Sequence, residues 1–356
     1  MSASLQLPAG DYRTSYRADT TIFPTRNSRI ALWIGLALLA CAPLVLGRYE
    51  LSVLIQIGFL GIAALGLNIL VGFTGQISIG HAAFFGFGAF ASAGLAAQGV
   101  PIVLSIPLAG VATALVGLVF GLPAARLKGL YLAIATLAAQ FILEDFFARA
   151  SWFSGGVAGR VTDSLSLFGF RFDREETYFY VVLFWVCVMF VAAANLMRSR
   201  DGRALVAVRD QYLSAEMMGI NLAYYRTLSF GIASLYAGIG GALYAHYLLF
   251  VSVEAFNILF SIQFLAMVII GGLGSVMGSL MGAAFMVMMP EVVTSAAMAL
   301  QGSWVDEALR LGNSINFLRE MAIGAAIILF LIFEPDGLAH RWRLIRAYWK
   351  LYPYSH

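Results

Sequence analysis

Between Glu50 and Arg126 the chain runs for 75 residues without a single Asp, Glu, Lys or Arg. No water-facing helix is built that way, because a surface helix needs a charged or polar stripe opposite its apolar one. A transmembrane barrel is excluded as well, since its strands alternate apolar and polar residues. A bilayer-spanning helix takes about 20 consecutive apolar residues, so this block alone has room for three. The rest of the chain agrees: 61% of its 356 residues are hydrophobic and 12% are charged, against about 25% charged in soluble domains. The fold class expected is an all-α polytopic membrane protein.

Ten apolar segments can be drawn, over residues 30–46, 51–71, 78–98, 103–125, 130–148, 178–197, 228–250, 258–274, 276–298 and 320–333. Segment 78–98 also reads as a re-entrant half-helix, and 258–298 admits other divisions. An even count puts both termini on one side. If that side is the cytoplasm, the inner segments hold Arg13, Arg17, Arg26, Arg29, Arg126, Lys128, Arg198, Arg200, Arg203, Arg209, Arg226, Arg341, Arg343, Arg346 and Lys350. That is 15 of the 22 basic residues, which satisfies the positive-inside rule. The expected layout is a cytoplasmic tail over 1–29, a membrane domain over 30–338 and a basic cytoplasmic tail over 339–356. The longest external loop is 149–177, and the longest internal one is 198–227. Within the latter, Ala204 to Met218 has no Gly or Pro and reads as one helix along the membrane face.

A short internal echo is present. Asn68-Ile69-Leu70-Val71-Gly72-Phe73-Thr74-Gly75 resembles Met267-Val268-Ile269-Ile270-Gly271-Gly272-Leu273-Gly274. Paired glycine interruptions in two halves of a membrane protein point to a transport site near the midplane. Non-helical backbone is tolerated there only where protein or a water-filled cavity meets its polar groups. Asn68, Gly72, Gly75, Gln76, Ser78, His81, Gly271 and Gly274 are therefore the candidate translocation path, with Thr74 a further polar neighbour. For Gly274, Gly278 and Gly282, spaced by four, close helix packing is the simpler reading. His81 is either an intramembrane functional group or a neutral imidazole that caps a half-helix or bonds across a helix pair. Glu291 lies inside a span or at a membrane face beside Pro290.

Catalytic chemistry finds no support. The two lysines, Lys128 and Lys350, are preceded by Leu127 and Trp349, so no Gly-Lys-Ser/Thr phosphate loop exists. The four histidines, His81, His246, His340 and His356, fall in no metal spacing and beside no plausible nucleophile. Two cysteines, Cys41 and Cys187, sit in apolar runs and give no disulfide framework. Leu38-Leu39-Ala40-Cys41 is a faint lipoprotein-like match, preceded by a polar stretch too long for a signal-peptide n-region. An ion-coupled carrier would show acids inside its spans. Only Glu291 and the segment-end residues Glu144, Asp145 and Glu320 come near that.

Five stretches together resemble the LivM-type permeases of branched-chain amino acid ABC importers. They are Gly66-Leu67-Asn68 through Gly75-Gln76-Ile77-Ser78-Ile79-Gly80-His81-Ala82-Ala83-Phe84-Phe85-Gly86; Lys128-Gly129-Leu130-Tyr131-Leu132-Ala133; Gly202-Arg203-Ala204-Leu205 with Ala215-Glu216 and Gly219-Ile220-Asn221; Gly240-Gly241-Ala242-Leu243-Tyr244-Ala245; and Gly271-Gly272-Leu273-Gly274-Ser275. The resemblance implies a multi-pass permease in the bacterial inner membrane and a second, similar permease subunit, most simply as a heterodimer. It also implies two cytoplasmic ATPase subunits that carry the ATP-Mg, and an extracytoplasmic solute-binding protein. It implies no cofactor on this chain and no nucleic acid. Residues 203–221 become the segment coupled to the ATPase, with Arg203, Arg209, Glu216 and Gly219 as its contacts. Trp152, Ser154, Gly155, Gly156 and Arg160 become candidate contacts for the binding protein. Where the family commonly has Thr-Gly-Gly, this chain has Ser154-Gly155-Gly156, and urea, amides, or aromatic and other carboxylates stay open as solutes beside branched-chain amino acids.

Overall fold

The computed structural model describes residues 26–299 and 311–351, apart from positions 128, 168, 169, 173 and 335. Expectations resting on residues 1–25, Lys128 and 300–310 lie outside the described residues. Helices account for nearly all of the regular structure: α1 (Arg26–Val45), α2 (Arg48–Asn68), α3 (His81–Ala97), α4 (Ile102–Ala124), α5 (Leu130–Arg149), the short α6 (Ser151–Ser154), α7 (Glu175–Arg198), α8 (Arg200–Asp210), α9 (Tyr212–Met217), α10 (Leu222–Leu248), α11 (Ile258–Gly271), α12 (Val276–Ala299), α13 (Leu311–Phe333) and α14 (Leu338–Leu351). Two-residue strands pair at the edges, β1 (Arg160–Val161) with β4 (Phe250–Val251) and β2 (Ser166–Leu167) with β3 (Phe170–Arg171), both antiparallel.

Each of the ten apolar segments falls on one of these helices. Among the described residues six helices are long and apolar enough to cross a bilayer: α2 with its continuation to Phe73, α4, α5, α7, α10 and α12. Shorter apolar helices are Leu32–Val45, His81–Ala97 and Ile258–Gly271. Two boundaries differ from expectation. The stretch 204–218 is not one helix. It is α8 and α9, divided at Gln211, whose backbone is extended (φ −151°). Segment 78–98 becomes helical only at His81, after a non-helical stretch over residues 74–80.

The core is a tight bundle in which α10 packs against α2, α3 and α4, and α12 packs against α2 and α11. Small residues make this possible. A side chain on Gly241 would bring its Cβ to 1.9 Å from the Phe85 carbonyl oxygen, and one on Gly88 to 2.3 Å from Gly238. Gly282 approaches the Met267 carbonyl as closely, at 1.8 Å, and Gly278 meets Gly271, so these two glycines serve helix contact, whereas Gly274 lies before α12 with φ +73°. Around these contacts Phe85 is ringed by Tyr244, Phe256, Phe260 and Phe264. By contrast α4, α7 and α12 leave much of their apolar surface exposed.

Gly241→Leu is expected to break the α3–α10 contact, because overpacking a filled core costs about 1–3 kcal/mol or more. Its melting temperature in detergent should fall by at least several degrees. Gly324→Leu, which meets nothing within 4 Å, should melt like the parent.

Candidate functional site

α2 serves as a ruler for the site. From Arg48 to Phe73 it runs 26 residues, about 39 Å at 1.5 Å per residue, which is more than the hydrocarbon thickness of about 30 Å. Its last turn, Ile69–Phe73, widens to a π-helix, a form that often marks a functional break. Beyond it the hydroxyl of Thr74 donates to the carbonyls of Ile69 and Leu70. Gln76 returns its N–H to Leu70 O at 3.1 Å. The chain then runs back without helix to His81, whose Nε2 lies 2.8 Å from Ala63 O. Ala63 is about 22 Å along α2 from Arg48, so α3 starts level with the middle of the membrane-length helix.

α11 starts at the same level from the other direction. Ser261 on its first turn accepts from Ala82 N (2.9 Å), and Phe264 meets the His81 ring edge-on. From this meeting point α3 runs to Gly94, beside Arg160 of β1, whereas α11 runs to Gly272, beside Asn68. The two N-termini thus face each other and the helices lead to opposite ends of the molecule.

Both ends are satisfied by side chains. Gln140 on α5 accepts from Ala83 N (2.9 Å) and Ser261 Oγ (3.0 Å) and donates to Phe256 O (2.6 Å). Thr136 accepts from Ile79 N (3.0 Å), and Asn257 caps α11 by accepting from Phe260 N (3.1 Å). Gln140 and Thr136 were not among the sequence candidates. The available signal was a single amide inside the apolar segment 130–148, since a polar group at membrane depth demands a partner. His81 is buried, and its bond to Ala63 O ties the start of α3 to α2.

At the other end the two echoing segments touch. Asn68 donates to Ser275 O and Ser279 Oγ, both at 2.8 Å, and reaches Gly272 O at 3.4 Å, while its Oδ1 accepts from Gly274 N at 2.9 Å. Gly72 lies so near that an added Cβ would sit 2.3 Å from Gly274 N. Gly75 and Gly274 adopt φ +71° and +73°, which favours glycine. Gly271 packs on Gly278, its added Cβ 2.0 Å from that carbonyl. The glycine junction is therefore at the end of α2, not at its middle, because the whole of α2 precedes it.

Gln76 donates to Ser229 Oγ at 2.6 Å, and its buried Oε1 has no partner among the described residues. Ser78 is buried, whereas Gly75 and Ile77 are exposed. No partner within the described residues meets the N–H of Ile77 or Ser78. Glu291 accepts from the Tyr49 hydroxyl, which places it near the start of α2, at the face rather than inside.

Of the four coupling candidates, Arg209 lies beside the glycine junction. Ser199 caps α8 by accepting from Gly202 N at 3.2 Å. Arg203 donates to Arg198 O at 3.1 Å. Arg209 turns inward and donates to Gly72 O at 2.6 Å. Glu216 and Gly219 are exposed, and so are Leu213 (59%), Met217 (89%) and Met218 (84%). Those three apolar residues were not foreseen.

In the external candidates Trp152 is 77% exposed, while Ser154 is buried, donating to the carbonyls of Phe147 and Ala150. Gly155, Gly156 and Gly159 all have positive φ and make a tight turn, and Arg160 donates to Phe153 O at 2.7 Å. Only Trp152 of that set offers a large free surface, together with Val157 (78%) and Val161 (75%). Among the described residues no group of three or more His, Cys, Asp or Glu could hold a metal ion.

An apolar helical bundle with two interrupted segments has the form of a membrane transport protein. Residues 49–331 match the family described as the permease component of the branched-chain amino acid transport system, and the chain belongs to it. It is a permease subunit of an ABC importer and not an enzyme. A high-affinity branched-chain amino acid transport system permease protein, LivM, of Salmonella typhimurium is 26% identical, with 88% of this chain and 75% of that protein covered. The Escherichia coli protein of that name is 27% identical over 65% of this chain and 56% of its own length. A probable branched-chain amino acid transport permease protein LivM of Methanocaldococcus jannaschii is 26% identical, covering 67% and 68%. No solved structure matches this chain closely enough to be significant.

Asn68→Ala should remove the bonds of a fully buried amide and strand the half-buried Gly274 N–H, and an unsatisfied group of this kind costs about 1–3 kcal/mol where burial is complete. Detergent-purified protein should melt several degrees lower and vesicle uptake should fall at least several-fold. The exposed control Gln98→Ala should change neither.

Proposed function

We propose that this chain carries branched-chain or related amino acids across a bacterial inner membrane, as one half of a permease pair. The other half is a similar second subunit. Two cytoplasmic ATPases bind the ATP-Mg and drive the cycle, and an extracytoplasmic binding protein selects and delivers the solute. The amino-acid class is supported by the names of the relatives, and the ATPases by the absence of a phosphate loop from this sequence.

The observation that carries the coupling half of this reading is α9. A helix of one and a half turns that leaves Leu213, Met217 and its C-cap Met218 open around Glu216 is costly in water and suited to a partner's groove. Methionine adapts to such surfaces, and a buried charge contact adds register. On the path side, the stretch over residues 74–80 leaves the amides of Ile77 and Ser78 unpaired among the described residues. Lipid does not receive such groups, so this face lines the solute path or the second subunit. The opposed starts of α3 and α11 support an inverted repeat pairing α2, α3 and α4 with α10, α11 and α12. In that register the echo of 68–75 with 267–274 brings together contacting segments rather than equivalent ones. Both termini are cytoplasmic in this reading, and ten segments cross.

Glu216→Arg should leave the protein in the membrane and reduce co-purified ATPase, with uptake at least tenfold down. Wild-type ATPase stoichiometry and uptake would remove α9 from the contact. For sidedness, Val157→Cys should react with an impermeant thiol reagent outside intact cells. Met217→Cys should react only after permeabilisation, and the reverse pattern would invert the topology. Calorimetry on the binding protein should show a branched-chain amino acid bound more tightly than urea or an aromatic carboxylate.

A further inference from the structure

The carbonyl of Gly72 belongs to the last turn of α2, where no further helix supplies an amide to it. The two carbonyls before it are served locally: Val71 O accepts from Gly75 N, and Leu70 O from Gln76 N. Gly72 O is met from another element, by Nη1 of Arg209 at 2.6 Å. A cation at the carbonyl end of a helix is favourably placed, and arginine keeps its charge at any physiological pH. Nε of the same guanidinium donates to Asp210 Oδ1 at 2.8 Å, which fixes the plane of the fork.

The rest of the side chain is fitted as closely. An added Cβ on Gly75 would lie 2.9 Å from Arg209 Cγ, and one on Gly274 would lie 3.1 Å from its Nη1 and 3.3 Å from Gly72 O. Glycines in two chain segments about 200 residues apart in sequence thus open a slot through which one arginine from a third segment reaches the interrupted end of α2. Arg209 is also the penultimate residue of α8. One position after Asp210, at Gln211, the chain turns into α9 with its exposed Leu213, Met217 and Met218.

We propose that Arg209 is a positioning residue of the transport cycle: it links α9 mechanically to the break between α2 and the 74–80 stretch. Movement of α9 pulls on Gly72 O and so shifts the non-helical backbone that leads to His81, without Arg209 touching either the solute or the ATPase. This rests on the reading of α9 as the ATPase-docking helix, and it assigns Arg209 to the inner side of that contact, whereas Glu216 belongs to the outer side. Lysine cannot replace it, because a single ammonium on a flexible stem does not hold Asp210 and Gly72 in one plane.

The test uses the full importer reconstituted in vesicles with its ATPases and binding protein, carrying Arg209→Gln or Arg209→Lys. ATPase stoichiometry per permease should match the parent for both, because α9 is untouched. The number of solute molecules moved per ATP should fall at least tenfold for Arg209→Gln and several-fold for Arg209→Lys, at equal amounts of assembled complex. A parental coupling ratio in Arg209→Lys would overturn the proposal, and so would loss of ATPase from either variant, which would make Arg209 an outward contact. If the Arg209→Gln permease does not accumulate in the membrane at all, Arg209→Lys decides alone. A failure of the docking reading itself is seen separately, as undiminished ATPase binding by Glu216→Arg.

Discussion

A backbone amide that leaves a helix at membrane depth has no water to turn to and must find a partner inside the protein. Most of this architecture follows from how that demand is met at the two places where the helices stop short. Where α3 and α11 begin, level with the middle of α2, Gln140, Thr136, Ser261 and Asn257 take up the freed N–H groups. Where α2 ends, Asn68 ties the first interruption to the second through four bonds.

The price of such interruptions is paid in side-chain volume. Helices must approach until backbone meets backbone, which is why Gly88, Gly238, Gly241, Gly271 and Gly282 sit at the contacts. With the bundle packed that closely, displacement of one element is passed on rather than absorbed, since dense interiors deform little. This gives the stretch over residues 74–80 its special standing. It is non-helical and partly exposed, and it follows the turn of α2 that Arg209 of α8 meets.

The loop after α5 is built on a different principle. Its glycines at 155, 156 and 159 have positive φ and make a compact turn held by Ser154 and Arg160, so the polar residues there shape the loop. The exposed residues Trp152, Val157 and Val161 form its outer surface. A sequence reading naturally weights the polar and glycine residues of such a loop, yet those are the ones that folding consumes.

What the sequence determined by itself was the class of protein and the place of its helices. Absence of charge over a long run admits only membrane helices, and the run lengths and basic clusters locate them, because both depend on local composition. The glycine interruptions were legible for the same reason. Which groups meet across the bundle was not. Nothing local tells that Asn68 bonds to Gly274, that Gln140 serves both α3 and α11, or that Arg209 turns inward to Gly72 while Glu216, seven residues on, points to solvent. Those outcomes depend on where separate segments are brought by packing, with hydrogen-bond partners more than 50 to 200 positions apart. Only the tertiary structure decides them, because a buried polar group is satisfied by whatever the fold delivers to it.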